Sequence, residues 1–349
     1  MTSSMLPTAS SSVTSSPTSF VFSSTSLPLT PTSPLSVGVC PSLPIDLFPL
    51  ILEHLNDHTQ ALSRCMQVNW TWAHMTVSIL YRNPLKIARP DSHYHLISTY
   101  LACITRDERQ RLVNQRIRIP RRKPPKFNYF EYCTSLEFSY VLFATSSWYM
   151  NCHRKISLKD EPVLISNVII KSIIRKAKFL RSFSTGPKAY RFSQTFKEIL
   201  TLLAVKQKRL DFFGINLDVD LSATDPITLP ELVSYLVKSQ NGLRELEVRN
   251  VSNGLEDVIK AMINQKRTLS KLKFHSCDFL TVYHGYWIYK LENLQSLQLN
   301  HCRNVIDLSA EIDQTMARVD GDDRKCYEWS RRPGGVGNRN GWRRQLEYA

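Results

Sequence analysis

The sequence predicts an α/β protein in which a short helical module precedes a solenoid of helix–strand repeats, with a disordered segment at each end. Three observations predict it. Segments 243–251 (LRELEVRNV), 269–277 (LSKLKFHSC) and 294–302 (LQSLQLNHC) share leucine at their first and fourth places, an apolar residue at the sixth and Val or Cys at the ninth, with starts 26 and 25 residues apart. Helix-period apolar residues fill the gaps between them. Ahead of the repeats, residues 43–84 carry apolar side chains at helical spacing, whereas residues 1–42 are dominated by Ser, Thr and Pro.

Residues 1–42 hold too few large apolar side chains to offset the entropy of ordering, so they are expected to be a disordered tail. Its Ser16-Pro17, Thr30-Pro31 and Ser33-Pro34 pairs are candidate phosphorylation positions. From Leu43 the composition changes. Leu47, Leu50, Ile51 and Leu55 suit one short helix; Leu62, Cys65, Met66, Trp72, Met75 and Leu80 suit a second segment. Thr59 is the expected N-cap of that second segment. Pro49 is expected to break or restart the first helix unless it opens it, because its ring clashes with the carbonyl four residues back. Helices this short need a partner or the next domain to bury their apolar faces.

Residues 85–130 read as a linker. Their basic, proline-rich run 116–126 (RIRIPRRKPPK) forbids a continuous helix and stays in water, and it doubles as a candidate nuclear-localisation patch. Residues 131–310 are assigned to the repeats. The repeat length falls within the 20–29 residues of leucine-rich repeats, whose short strand turns alternate residues into a shared core. Thr228-Leu-Pro-Glu231 and Asn253-Gly-Leu-Glu256 resemble capping boxes that open the intervening helices, and Gly242 is placed to end one. Weaker copies begin at Leu210 and Leu180, for about five units, with residues 133–138 as a sixth or a cap. Beyond Ile306 the rhythm fails. Residues 311–349, with the Gly- and Arg-rich run 331–341, are expected to form a poorly structured tail.

Composition excludes several function classes. The eight cysteines include no C-x-x-C pair, which argues against a zinc ribbon and a disulfide framework and for a reducing compartment. Residues 139–150, the longest apolar stretch, are too short to span a membrane. The first charged residue is Asp46, so neither a secretory signal nor a transit peptide is expected, leaving cytoplasm or nucleus. The formal charge is +15, but Lys and Arg are spread from Arg64 to Arg344, which argues against a nucleic-acid partner. No G-x-S-x-G, P-loop or H-E-x-x-H is present, and neither Cys152-His153 nor His93-Tyr-His95 completes a metal site; no catalysis, metal or cofactor is expected. Cys277 and Cys302 occupy the ninth place of successive repeats, where the first copy has Val251, and read as small buried apolar residues.

Leu43-Pro44, the apolar helix ending at Leu55, CMQVNWTW (65–72) and ILYRNP (79–84) together resemble the F-box motif. With leucine-rich repeats after it, the chain resembles the F-box/leucine-rich-repeat proteins. That resemblance implies a substrate adaptor of a cullin–RING (SCF-type) ubiquitin ligase, whose F-box binds a Skp-type adaptor, and through it cullin, while the repeats bind a protein substrate. It also implies that the chemistry belongs to other subunits. By motif position, Leu43, Pro44, Ile51, Val68, Trp72 and Leu80 would face the adaptor or hold the module's shape; Pro49 departs from the pattern. Strand alternation puts Phe212, Gly214 and Asn216, then Glu245, Glu247 and Arg249, then Lys271, Lys273 and His275, then Ser296, Gln298 and Asn300 on one face as substrate-site candidates. That face passes from mixed to basic to neutral, which suits a partner with acidic patches. The rival readings are a nuclear or nucleic-acid-associated scaffold using the basic linker and tail, and a truncated member of the family.

Overall fold

Strand residues that alternate polar with apolar pair here into one sheet, and helices follow all but the last of its parallel strands. The computed structural model describes residues 44, 46–87, 92–120, 123–153, 161–186, 193–217, 228–280, 282, 286–305, 326–331 and 342–345. The chain divides into two units, Met1–Pro44 and Ile45–Ala349. Only Pro44 of the first is described, so the expected N-terminal tail and Leu43 lie outside the described residues. All that follows concerns the second unit.

It begins with α1 (Leu47–His54), α2 (Thr59–Cys65) and α3 (Trp70–Leu80). Pro49 does not break α1. It is the third residue, in the turn whose N–H groups have no intrahelical partner, so its missing donor costs nothing there. Thr59 is the first residue of α2 rather than its cap; His58 holds the cap position and makes no side-chain bond. Asn69 caps α3 instead, its Oδ1 accepting from the Trp72 N–H at 2.9 Å. These helices enclose a small core of their own, Leu52, Leu62 and Ile79, with Leu55, Cys65, Trp72, Met75 and Leu80 packed around it.

The expected linker is largely helical. α4 (Pro84–Ile87), α5 (His93–Cys103) and α6 (Arg106–Asn114) follow, and Leu85, Ile97, Tyr100, Leu101 and Leu112 join the main core. α6 opens with a capping box in which Glu108 N–H donates to Thr105 Oγ1 and Thr105 N–H donates to Glu108 Oε2. Among the described residues, 115–120 and 123–128 lack regular structure, and there Ile117 is buried and Phe127 stacks on Trp70 at 4.9 Å.

Next come β1 (Ser135–Glu137), α7 (Phe138–His153), α8 (Glu161–Lys176), β2 (Ser182–Ser184), α9 (Ser193–Lys206), β3 (Phe212–Asn216), α10 (Thr228–Ser239), β4 (Glu245–Arg249), α11 (Leu255–Met262), β5 (Lys271–His275), α12 (Tyr286–Lys290) and β6 (Ser296–Asn300). β1 to β6 are parallel neighbours in chain order, and residues 133–138 thus supply the first strand. The three strong sequence copies align residue for residue: Leu246, Leu272 and Leu297 pair in one row, Val248, Phe274 and Leu299 in another. Both rows are buried, with Phe183 and Phe213 continuing the first. The residue after each strand, Asn250, Ser276 or His301, takes a left-handed conformation with φ between 51° and 54°, which turns the chain so that Val251 and Cys277 re-enter the core.

Helix ends are tied across units by buried glutamines. Gln207 Nε2 donates to the Ile174 and Ala177 carbonyls, Gln240 Nε2 to Gln207 O, and Gln265 Nε2 to Gln240 O. Each satisfies helix-terminal acceptors that burial would otherwise orphan. α11 does not use a capping box at Asn253; it starts after Gly254, at φ 76°, where a Cβ would lie 2.7 Å from Pro230. The expected C-terminal tail also departs from expectation. β7 (Cys326–Arg331) pairs antiparallel with β6, and β8 (Trp342–Gln345) pairs with β7. A bare β6 edge leaves backbone groups unpaired, and CYEWSR, with aromatic residues at alternate places, suits a strand.

Candidate functional site

Two surfaces combine residues singled out in the sequence. The first is a set of exposed apolar side chains on the helical module. Ile51 is 39% exposed and Val68 63% exposed. Leu47 and Leu50 share a side of α1 with Ile51, at the i, i+3, i+4 spacing, and Trp70 is 57% exposed at the start of α3. Sequence reasoning assigned these three no contact role. Their signal was a helix apolar on two sides, with Leu52 supplying the buried one. Trp72 and Leu80 belong to the module's own packing: Trp72 meets Phe48 edge-on at 4.9 Å, and both line the Leu52–Leu62–Ile79 core. Pro44 is exposed. Five large apolar side chains exposed on so small a body are more than scattered surface residues account for.

The second surface is the polar face of the parallel sheet. Its rows are set by register: Ser135, Ser182, Phe212, Glu245, Lys271 and Ser296 in one; Glu137, Ser184, Gly214, Glu247, Lys273 and Gln298 in the next; Asn216, Arg249, His275 and Asn300 in a third. The candidates inferred from alternation therefore come together on one face. Charges there cancel across strands. Lys273 Nζ lies 2.8 Å from Glu245 Oε1, while Glu247 accepts from Arg249 and faces His275 Nε2 at 3.5 Å. Asn300 Nδ2 and His275 Nδ1 are 3.1 Å apart. The basic step expected on β5 is thus reduced to the exposed Lys271, because Lys273 has a carboxylate partner on β4. Burial, and then the Arg249 cation, hold His275 below the ordinary imidazole value despite Glu247, which keeps the ring neutral at pH 7.

Toward β1 the same face hollows into a cavity of about 290 Å³. Its floor is made by Ser135, Ser182, Ser184 and Gly214, and Lys86 and Arg249 line it as well. Small side chains at consecutive row positions leave the space, and a Cβ on Gly214 would press within 3.2 Å of Ser184 Oγ. Glu137 is held at one side by the Ser139 hydroxyl, which donates at 2.6 Å, and Asn83 reaches Ser135 Oγ at 3.3 Å. Alternation applied to the weak copy at Leu180 would have found Ser182 and Ser184; Ser135 and Glu137 come from a strand too short to carry a pattern. Of the two cysteines read as core, Cys277 is buried, whereas Cys302 is half-buried at the last parallel strand.

Among the described residues no helix is long and apolar enough to cross a membrane. No family model, no curated protein and no solved structure matches the chain.

Proposed function

We propose that the chain is a non-catalytic substrate receptor of an SCF-type ubiquitin ligase, with α1–α3 as an F-box that binds a Skp-type adaptor and, through it, cullin. On this reading the sheet and its helices are a leucine-rich-repeat solenoid that presents a protein substrate, in the cytoplasm or nucleus, and no cofactor takes part. The observation that carries the proposal is the exposure of Leu47, Leu50, Ile51, Val68 and Trp70, on the residues that resemble the F-box motif. A body whose private core is three side chains cannot spare that much apolar surface to water without a partner. The polar sheet face, with its cavity between β1 and β4, supports the substrate half of the reading, because a concave polar surface on a rigid sheet recognises a peptide by hydrogen bonds and paired charges.

Co-purification of the full chain with a Skp-type adaptor tests the proposal. Leu50→Asp with Val68→Asp leaves the Leu52 core intact and is expected to weaken binding at least ~30-fold, the scale of a lost interface anchor, with the melting temperature unchanged. Leu43→Ala with Pro44→Ala is expected to weaken it as well. A folded native chain that fails to retain the adaptor would sink the proposal.

A further inference from the structure

The lysines and arginines that the sequence spreads out are gathered by the fold. β2 to β5 are each entered from the C-terminal side of a helix, so the segments 175–181, 205–211, 238–244 and 266–271 all lie along one edge of the sheet. Backbone bonds stitch these segments together: Asp211 N–H donates to Arg181 O at 2.7 Å, Arg244 N–H to Asp211 O at 2.9 Å, and Ser270 N–H to Arg244 O at 2.8 Å. The four segments hold twelve lysines and arginines and one acid, Asp211. At the opposite edge, residues 250–257 and 276–280 contain Glu256, Asp257 and Asp278 and no cation.

Helix dipoles explain part of this edge. Arg175, Lys176, Lys206 and Lys238 occupy last turns, where a cation meets unpaired carbonyls. That effect fades within a turn, and Arg181, Lys208, Arg209, Arg267 and Lys271 lie beyond the helix ends. Internal neutralisation falls short too. Arg175, Lys178 and Lys266 pair with Glu108, Glu131 and Glu292, the last also near Arg267, and Asp211 is shared between Arg181 at 3.8 Å and Arg244 at 4.0 Å, but Lys206, Arg209, Lys238, Arg267 and Lys271 form no ion pair among the described residues. Among these charges stands Phe179, 70% exposed, at the same offset from β2 as Arg209 is from β3. Lys206 and Lys238 close α9 and α10, and Arg209 and Arg267 lie in the loops that enter β3 and β5, so unpaired cations recur from segment to segment along the edge, as phosphates recur along a nucleotide backbone. An exposed ring among such cations is a stacking surface, which an acidic protein segment would not use.

We infer that this edge binds single-stranded nucleic acid, with Lys206, Arg209, Lys238 and Arg267 neutralising phosphates and Phe179 stacking on a base. The surface meets the polar sheet face at Lys271 but uses other residues, and the inference stands whether or not the chain serves a ligase.

The test is fluorescence anisotropy of the full chain with a labelled oligouridine of about 20 nucleotides, titrated at several salt concentrations. The expected result is binding whose logarithmic affinity falls against logarithmic salt with a slope of about −3, four phosphates at ~0.7 each. Lys206→Glu, Arg209→Glu, Lys238→Glu and Arg267→Glu combined should lower affinity at least ~100-fold, and Phe179→Ala about 10-fold. All five side chains are exposed, and an unchanged melting temperature confirms folding. Should the fourfold variant misfold, the glutamine versions at the same positions replace it. Absence of binding by the native chain overturns the inference. Binding that survives the fourfold variant does so too, since it would then lie in the basic run 116–126 or elsewhere. Equal competition by polyglutamate, with no effect of Phe179→Ala, would assign the edge to an acidic protein and also overturn it.

Discussion

Single side chains settle how the segment expected to be a linker becomes part of the core. Glu108 is buried, and burial alone would raise its carboxyl. The Thr105 N–H and the Ser172 hydroxyl at 2.9 Å, together with the nearby Lys176 ammonium, hold it instead below its ordinary value, and Arg175 donates to the same carboxylate at 3.1 Å. A carboxylate whose value is depressed by folding stabilises the protein above its unfolded value and loses that contribution as pH falls through the folded one. Stability should therefore decline below pH ~4 in the native chain and more gently in Glu108→Gln. Glu108→Ala should cost about 2–3 kcal/mol at neutral pH, because it leaves the Ser172 and Thr105 donors buried without an acceptor; urea unfolding at both pH values measures this. The capping box was spelled in the sequence as Thr105-Arg-Asp-Glu108, but its partners Ser172 and Arg175 are more than 60 residues away. Pro49 makes the complementary point. The residue was legible as a helix breaker, and only its position relative to the helix start removed the cost.

At the scale of elements, the strands were easier to read than the helix starts. Strand positions 245–249, 271–275 and 296–300 came from alternation and hold in the register. The start of α11 did not, since a left-handed Gly254 does what a side-chain cap at Asn253 was expected to do. Gly254→Ala should cost about 1–3 kcal/mol in a thermal melt, more than glycine's conformational entropy would return, because the new methyl group meets Pro230 and φ is positive. α5 and α6 were missed because α5 has apolar residues spread around it and α6 has few, so neither shows a clear stripe. The β7 and β8 strands were missed for another reason: their pairing is dictated by the open edge of β6, a neighbour distant in sequence.

Among the described residues there are one large core and one small one. Buried side chains from Leu85 to Leu299 form a continuous cluster, while Leu52, Leu62 and Ile79 form their own beneath α1–α3. The Trp70–Phe127 stack reaches from the module to the segment after α6, while the exposed Arg82–Glu53 pair ties α1 to the end of α3 and is worth little by itself. Native-state hydrogen exchange should therefore show the Leu52 amide exchanging well before that of Ile169, because opening three helices exposes far less apolar surface than opening the main core. Addition of the proposed adaptor should slow the Leu52 amide selectively. Uniform exchange across both regions would mean that the module is held as firmly as the rest.

The sequence by itself determined the alternation of helix and strand, the inward leucine rows and the residues of the polar sheet face, because those depend on periods of two and of about 25 residues that any reader can count. The tertiary structure decided which of those polar residues are free. Lys273 is neutralised by Glu245 across the sheet, and the cavity exists because Ser135, Ser182, Ser184 and Gly214 stack side by side. It also decided where the charge collects. Cations at 206, 209, 238 and 267 look dispersed along the chain, and gather only when parallel strands set every helix-to-strand loop on the same edge. Such properties depend on distances between residues far apart in the chain, and only pairing of the strands brings those residues together.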